Sequence, residues 1–479
     1  MTKQICFFHR NSFHEILFPK IGKYLEDVYG YKIFHVSRYS LNEYLNVFNY
    51  EKYMETIWND MDLSYERLAS IEMEYPAYDM MRAIYSEREF NYFPKYYNKK
   101  PVPYEEQIKY LIGCLVAFEN FIKKNKIELV LSELPQGIPD VFQAVCERYG
   151  VMYRTMRASK VTPGTVFCQD VHEIPVGMLE RYKNYLESTI PDEARKQAIE
   201  HIESIREKIN LPVYMEITGK KYRLLTIRKM WAFLRAILHR KKGTSPVSIN
   251  KSPLLNSIYW NIHRTYNIWN VRWHKKTWFF NGELPKSTKY FVFTLQYEPE
   301  NSTSVRAYPF FNQMCVIEQI AKALPLGVIL VVKEHKGNQG YRKGKFYKEL
   351  SYLPNVKLVD ANTQVSTLVK NSIGVITLTS RMGWEAIVMR KPVIVIGTTF
   401  YSSFEYVKKP KSWGELRSCI REIVSGENYF TKPDYEEKLI AYCASYITST
   451  KKGFYIAKSE KSLSEKNAEN LATAIVEMV

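Results

Sequence analysis

The sequence predicts an α/β protein of two facing, doubly wound, Rossmann-like domains with a basic helical insertion between them. Three observations carry this. Short apolar runs alternate with amphipathic segments in both halves of the chain, the pattern of parallel strands joined by helices. At 479 residues the chain exceeds what one core ordinarily fills. Of a formal net charge of +18, 14 Lys or Arg and no Asp or Glu fall between residues 217 and 282, so one segment makes the protein basic. The boundaries that follow are 1–175 for an N-terminal α/β domain, 176–285 for an insertion or linker, 286–425 for a second α/β domain and 426–479 for terminal helices.

Element by element, "KQICFF" reads as a strand, "HRNSFHE" as a polar loop and "ILFPKIGKYLEDVYG" as a helix. "YKIFHVS" is the next strand. Residues 41–100 lack clean periodicity and read as helices. "PYEEQIKYLIGCLVAFENFIKKN" has apolar residues at helical spacing and a basic C-terminal end. "IELVLSE" is a strand, "IPDVFQAVCERYG" a helix closed by Gly150, and "VMYRTMRAS" a strand. The second half repeats the alternation. "KYFVFTLQ", "GVILVVKEH", "VKLVD", "GVITLT" and "PVIVIG" are strands, separated by four helical segments.

Several function classes are excluded by pattern. Seven scattered cysteines without a C-x-x-C pair argue against a disulfide framework or a zinc cluster. No phosphate loop, dinucleotide fingerprint, H-E-x-x-H or G-x-S-x-G element occurs. A mechanism without metal or cofactor is expected. No run reaches the length of a membrane span and the N-terminal apolar run is too short for a secretory signal, so a cytoplasmic protein is expected.

Open parallel sheets bind ligands at the carboxyl ends of their strands. In the second domain that edge carries three loops. After "LGVILVV" come Lys333, Glu334 and His335, where Lys333 can neutralise a phosphate and His335 can donate to one or pass a proton. The glycines from Gly337 to Gly344 would let the backbone approach a ligand. After "GVITL" come Thr379 and Ser380, then a helix carrying Glu385. That turn offers hydroxyls and free amides to an anion, and the carboxylate can hold a ribose diol. Ser380 reads equally as a plain helix cap and Glu385 as a surface residue. After "KYFVFT" come Gln296, Glu298, Ser302, Thr303 and Arg306. In the first domain the corresponding loops hold His9, Arg10, Asn11, Ser12 and His14, then Glu133, then Arg157, Ser159 and Lys160. These could bind an acceptor or supply a general base, with Glu133 and His14 the candidates.

The blocks "LQYEPENSTS", "NQMCVIEQIAKALPLGVILVVKEHKGNQGYRKG" and "VITLTSRMGWEAIVMRKPVIVIGTTFY" resemble the C-terminal half of bacterial capsule polysaccharide synthesis proteins, a group that includes the Kdo transferases of capsule export. The resemblance runs from Gln296 to Tyr401. It implies a GT-B glycosyltransferase fold with the nucleotide-sugar donor on the second domain, and donor roles for His335, the Thr379–Ser380 turn and Glu385. The first domain then takes the acceptor, a glycan or glycolipid. The chain differs from the family in Lys336, where proline usually follows the histidine, and in Ser380-Arg381, where glycine usually follows the threonine. A similar His-Pro and Ser-Ser/Thr pair around a CMP-linked donor in bacterial sialyltransferases points to a CMP-linked ulosonic acid such as Kdo, with a UDP-linked sugar as the alternative.

In the basic segment, "KKYRLLTIRKMWAFLRAILHRKK" places Ile227, Met230, Trp231, Leu234, Ile237 and Leu238 on one side of a helix and Arg228, Lys229, Arg235, His239 and Arg240 on the other. This is the pattern of a helix lying in an anionic membrane surface. "YWNIHRTYNIWNVRWHKKTWFF" adds four tryptophans among basic residues. The expected partner of 217–282 is therefore the inner face of the cytoplasmic membrane. A packed insertion with a solvated basic face is the alternative, and nucleic acid ranks last. Function is weighed accordingly: a glycosyltransferase first, then a sugar-nucleotide epimerase or hydrolase on the same fold, then a non-catalytic binder of membrane or nucleic acid.

Overall fold

Among the residues it describes, the computed structural model folds the apolar runs into twelve strands in two sheets. Those residues are 2–38, 46–96, 99–133, 137–170, 172–207, 253–280, 282, 284–285, 287–298, 300–426, 430, 432–456 and 460–478. The first sheet holds β1 (Gln4–His9), β2 (Lys32–Ser37), β3 (Val47–Asn49), β4 (Leu129–Ser132), β5 (Met152–Ala158) and β6 (Thr165–Cys168). Their spatial order is β3-β2-β1-β4-β5-β6, parallel throughout except for the antiparallel β5–β6 pair. The second sheet holds β7 (Lys289–Thr294), β8 (Val328–Lys333), β9 (Val356–Val359), β10 (Gly374–Thr377), β11 (Val393–Val395) and β12 (Val407–Lys408). Its order is β12-β11-β10-β7-β8-β9, all parallel. Each is the 3-2-1-4-5-6 order of a doubly wound sheet, so the fold class read from the sequence holds.

The strands are apolar on both faces because both faces are covered. In β1, Ile5 and Phe7 pack with Leu17, Phe18 and Leu471, while Cys6 and Phe8 turn to Phe118 and Phe142 on the other side. Burying each such aromatic stabilises the sheet by roughly 1.5–3 kcal/mol. In the second sheet Phe291, Phe293, Leu330 and Val332 build the equivalent core with Ile317 and Ile320.

Described residues divide into two units. Residues 2–170, 253–256 and 449–478 form one; 172–207 and 257–448 form the other. This differs from the boundaries drawn at 175, 285 and 425. The terminal helices separate: Tyr435–Thr448 packs on Asp192–Glu207 of the second unit, while Glu465–Val476 packs on Ser12–Tyr29 of the first. The amphipathic reading of 220–242 falls outside the described residues. Strands β3, β6 and β12 are additions at sheet edges. The first helix begins at Ser12, earlier than read, because Asn11 caps it by accepting from the Phe13 and His14 amides.

Candidate functional site

In each sheet the strand order reverses between its first and fourth strands, and ligand sites of doubly wound folds lie just beyond the carboxyl ends of those two. In the second unit that place is the end of β7 and β10. Gln296, buried just past β7, reaches across with Nε2 3.5 Å from Thr377 Oγ1 at the end of β10. Gln313 fixes its backbone, with Oε1 accepting from the Gln296 amide at 2.7 Å. The turn after β10 is hydrogen-bonded to itself. The Ser380 amide donates to Thr377 Oγ1, and Ser380 Oγ accepts from the Met382 amide. Those amides are therefore not open to an anion, which corrects the expectation of free amides at this turn. The Ser380 hydroxyl, occupied as an acceptor, retains its own proton to donate. Gly383 makes room for Tyr401, whose hydroxyl donates to the Ser380 carbonyl; a Cβ at 383 would collide with that hydroxyl.

Glu385 stands one turn further along. It is buried, with Arg381 Nε 3.6 Å from its carboxylate. Burial, partly offset by Arg381, pushes its carboxyl up to about 7. Nearby, Arg306 forms a buried ion pair with Glu173 and donates from Nε to Asn301 Oδ1 at 3.2 Å. Glu173 was not singled out from the sequence. It lies 133 residues from Arg306, and its only local mark is a positive φ of 62°, which a sequence does not display.

The three charged residues that follow the apolar run of β8 divide by role. Lys333 is buried, and its ammonium donates to the carbonyls of Glu334 and Ala361 at 3.2 and 2.9 Å. Burial lowers its pKa to about 8. It ties the ends of β8 and β9 together and does not present its charge to a phosphate. Glu334 is also buried, and it accepts from Arg342 Nη1 at 2.6 Å, from Tyr347 Oη at 2.7 Å and from the His335 amide at 2.6 Å. It is a strut, and a ligand role is withdrawn for it. His335 is different. Its Nδ1 accepts from the Gly337 amide at 3.1 Å, so in the neutral ring Nε2 carries the proton. Burial lowers its pKa, which keeps it neutral near pH 7.

Glu298 is bonded to Gln313 Nε2 at 2.6 Å and lies 3.5 Å from Arg342. Ser302 Oγ meets Glu300, Thr303 Oγ1 donates to the Glu300 carbonyl, and Thr379 Oγ1 donates to the Ser302 carbonyl at 2.9 Å. These three hydroxyls shape the loop. The loop glycines serve a helix, not a ligand: a Cβ at Gly340 would strike Arg264 and Ile268, and one at Gly344 would strike Asn270 and Trp278. Those partners belong to the described part of the basic segment, helix Pro253–Trp273 and the turn after it.

In the first unit the reversal lies between β1 and β4, and there the sequence candidates come together. His14 Nε2 is 3.3 Å from Glu133 Oε2, and Asn11 Nδ2 donates to the same oxygen at 3.1 Å. The Arg10 amide donates to His14 Nδ1 at 3.1 Å, and Tyr455 Oη meets Nε2 at 2.6 Å. His14 is fully buried, so it cannot touch an acceptor itself. Glu133 keeps 26% of its side chain exposed. Burial raises its pKa, but the His14 contact, Arg10 and Arg157 outweigh it and hold the carboxyl below its usual range. Beside this cluster, a cavity of about 230 Å³ is lined by Arg10, Arg38, Arg88, Tyr50, Phe90 and Tyr110, among others.

Residues 254–405 match the model of the family described as "Capsule polysaccharide biosynthesis protein". This bears out the resemblance read over Gln296–Tyr401 and extends it back through helix Pro253–Trp273. No curated protein matches the sequence. Solved structures similar to this chain include a KpsC β-Kdo 2,7-transferase from Thermosulfurimonas dismutans, at 13% identity, 64% coverage of this chain, 80% of that one and a TM-score of 0.33. A UDP-GlcNAc 2-epimerase from Methanocaldococcus jannaschii is 11% identical, with 94% and 99% coverage and a TM-score of 0.27. A glycosyltransferase from Rickettsia africae is 10% identical over the full length of both chains, with a TM-score of 0.28.

Proposed function

We propose that this chain is a glycosyltransferase of capsule or surface polysaccharide synthesis, moving a sugar from a nucleotide-sugar donor to a glycan or glycolipid acceptor. The observation that carries the reading is the second unit's switch point. Gln296, Ser380 and Glu385 converge there, with His335 on the neighbouring strand end, all inside the segment that matches the family. In this reading His335 Nε2–H and the Ser380 hydroxyl donate to the donor's phosphate as negative charge grows on it. Such fixed donors supply most of the rate in reactions with a charged leaving group. Glu385 holds the ribose diol. Glu133, ionised and partly exposed, accepts the proton of the attacking hydroxyl, with His14 and Asn11 holding it in place. The nucleotide sugar is a substrate, and no further cofactor is invoked. A CMP-linked ulosonic acid such as Kdo is the first donor to test and a UDP-linked sugar the second. A lipid-linked acceptor places the reaction at the inner face of the cytoplasmic membrane.

The test is a thermal-shift screen against CMP, UDP, GDP and their sugar conjugates. Stabilisation by one nucleotide family, lost in Glu385→Ala, is the expected result. Absence of a shift with every nucleotide removes the donor site. Turnover of the donor without any acceptor would instead favour an epimerase or hydrolase.

A further inference from the structure

Helix Pro253–Trp273 has two faces with opposite fates. One packs on the loop that follows β8. Arg264 Nε and Asn267 Nδ2 donate to the Gln339 and Gly340 carbonyls, each at 3.1 Å, and Trp260 stacks at a tilt on Tyr341 with ring centroids 4.8 Å apart. The other face carries Ile258, Ile262, Tyr266, Trp269 and Trp273, which are 45–73% exposed. Their spacing of four, four, three and four residues places all five within an arc of about 80°, along roughly 22 Å of helix. Single exposed apolar side chains are ordinary on a protein surface, but a continuous row of five is not. The rings of Trp269 and Trp273 extend it unbroken, 5.4 Å apart.

We propose that this row docks the protein on an anionic lipid surface, with the helix lying in the plane of the headgroups. Three features select that occupant. Tryptophan and tyrosine are the side chains that settle at headgroup depth, and the row contains three of them. Exposed Arg272 and Lys276 flank it, and no acidic residue occurs anywhere from 217 to 282. A second copy of the chain would set one acid-free row against another, and the rest of the basic segment offers no complementary charge. No described helix is long and apolar enough to cross a membrane, so the row lies on the bilayer. The packed face of the same helix grips the loop that follows His335. Lipid contact and the proposed donor loop thus share one rigid element. This surface is independent of the donor assignment.

The experiment is co-sedimentation of the full chain with phosphatidylglycerol/phosphatidylcholine vesicles and with pure phosphatidylcholine vesicles. The wild type is expected to bind the anionic vesicles, and Trp269→Ser/Trp273→Ser to bind them at least tenfold more weakly at an unchanged thermal midpoint. Arg272→Gln and Lys276→Gln should each weaken binding about fivefold, less at high salt. Undiminished binding by the double tryptophan variant overturns the proposal, because another surface would then carry the contact. So does a failure of the wild type to bind. A wild-type dimer that the double variant dissociates also overturns it, by making the row a self-interface. Nucleotide thermal shifts measured without vesicles report the donor reading separately.

Discussion

The two sheets share one strand order, yet their switch points are loaded in opposite ways. In the second unit the conspicuous charges after β8 point inward: Glu334 takes three hydrogen bonds from its own loop and Lys333 is tied to two carbonyls. In the first unit a carboxylate of similar appearance, Glu133, stays partly exposed while a buried histidine braces it from behind. A charged residue at a strand end therefore says where a site could be, and only its hydrogen-bond partners say whether it holds the loop or faces a ligand. Substituting the two glutamates separates these roles.

Glu133→Gln should lower the rate of sugar transfer by about 10²- to 10⁴-fold, since a general base is lost, with a smaller loss of thermal midpoint as the His14 contact loses its charge. Transfer at the wild-type rate would make Glu133 as structural as Glu334. Glu334→Ala should do the reverse. It takes from the buried Arg342 its nearest carboxylate, leaving Glu298 at 3.5 Å, at a cost on the order of 3 kcal/mol in urea denaturation. A loss below about 1 kcal/mol would show that the Glu334–Arg342–Tyr347 network does not hold the loop.

Glu385 is the case between the two, buried like a strut but placed like a ligand contact. Its folded pKa of about 7 lies above that of an unfolded glutamate. Ionising it in the folded chain is therefore unfavourable. Stability is highest below pH 4.5 in this respect and falls as pH rises towards 7, by on the order of 3 kcal/mol. Glu385→Gln should remove that slope, measured by denaturation at pH 5 and pH 8. Nucleotide affinity should move the other way and rise through pH 7, because only the carboxylate accepts from both ribose hydroxyls. Identical pH profiles for variant and wild type would sink the assignment.

Much of the fold was legible because its signals are local. Buried parallel strands such as "VILVV" and "FVF" are apolar runs whatever lies around them, and Gly150 marks a helix end by itself. The edge strands β3 and β12 have three and two residues and no such run, and β6 has only four residues. The return of the last 31 residues to the first unit is a long-range event with no local sign. At the site, the positions of His335, Ser380, Glu385 and Glu133 could be read from strand ends. The duties of their neighbours could not. Glu334 owes its role to Arg342 and Tyr347, and Gly340 owes its role to a helix more than 60 residues earlier. Those assignments depend on packing between segments that the order of residues does not place together.

The smallest expected effect is also the finest test of the contrast. Thr379 sits in the turn to which the family resemblance gives a donor role, but its buried hydroxyl donates to the Ser302 carbonyl at 2.9 Å. Valine has nearly the same shape and cannot make that bond. Thr379→Val leaves one buried carbonyl short of a donor, which should cost about 1 kcal/mol of stability. If the hydroxyl is a strut, nucleotide affinity should stay within about twofold, since the backbone turn beside Ser380 is held independently by Thr377 and Tyr401. A tenfold loss of affinity, about 1.4 kcal/mol, with stability intact would mean that the hydroxyl leaves Ser302 for the nucleotide when the donor binds. Thr379 would then belong with Glu133 among the groups that face a ligand, not with Glu334 among those that hold the loop.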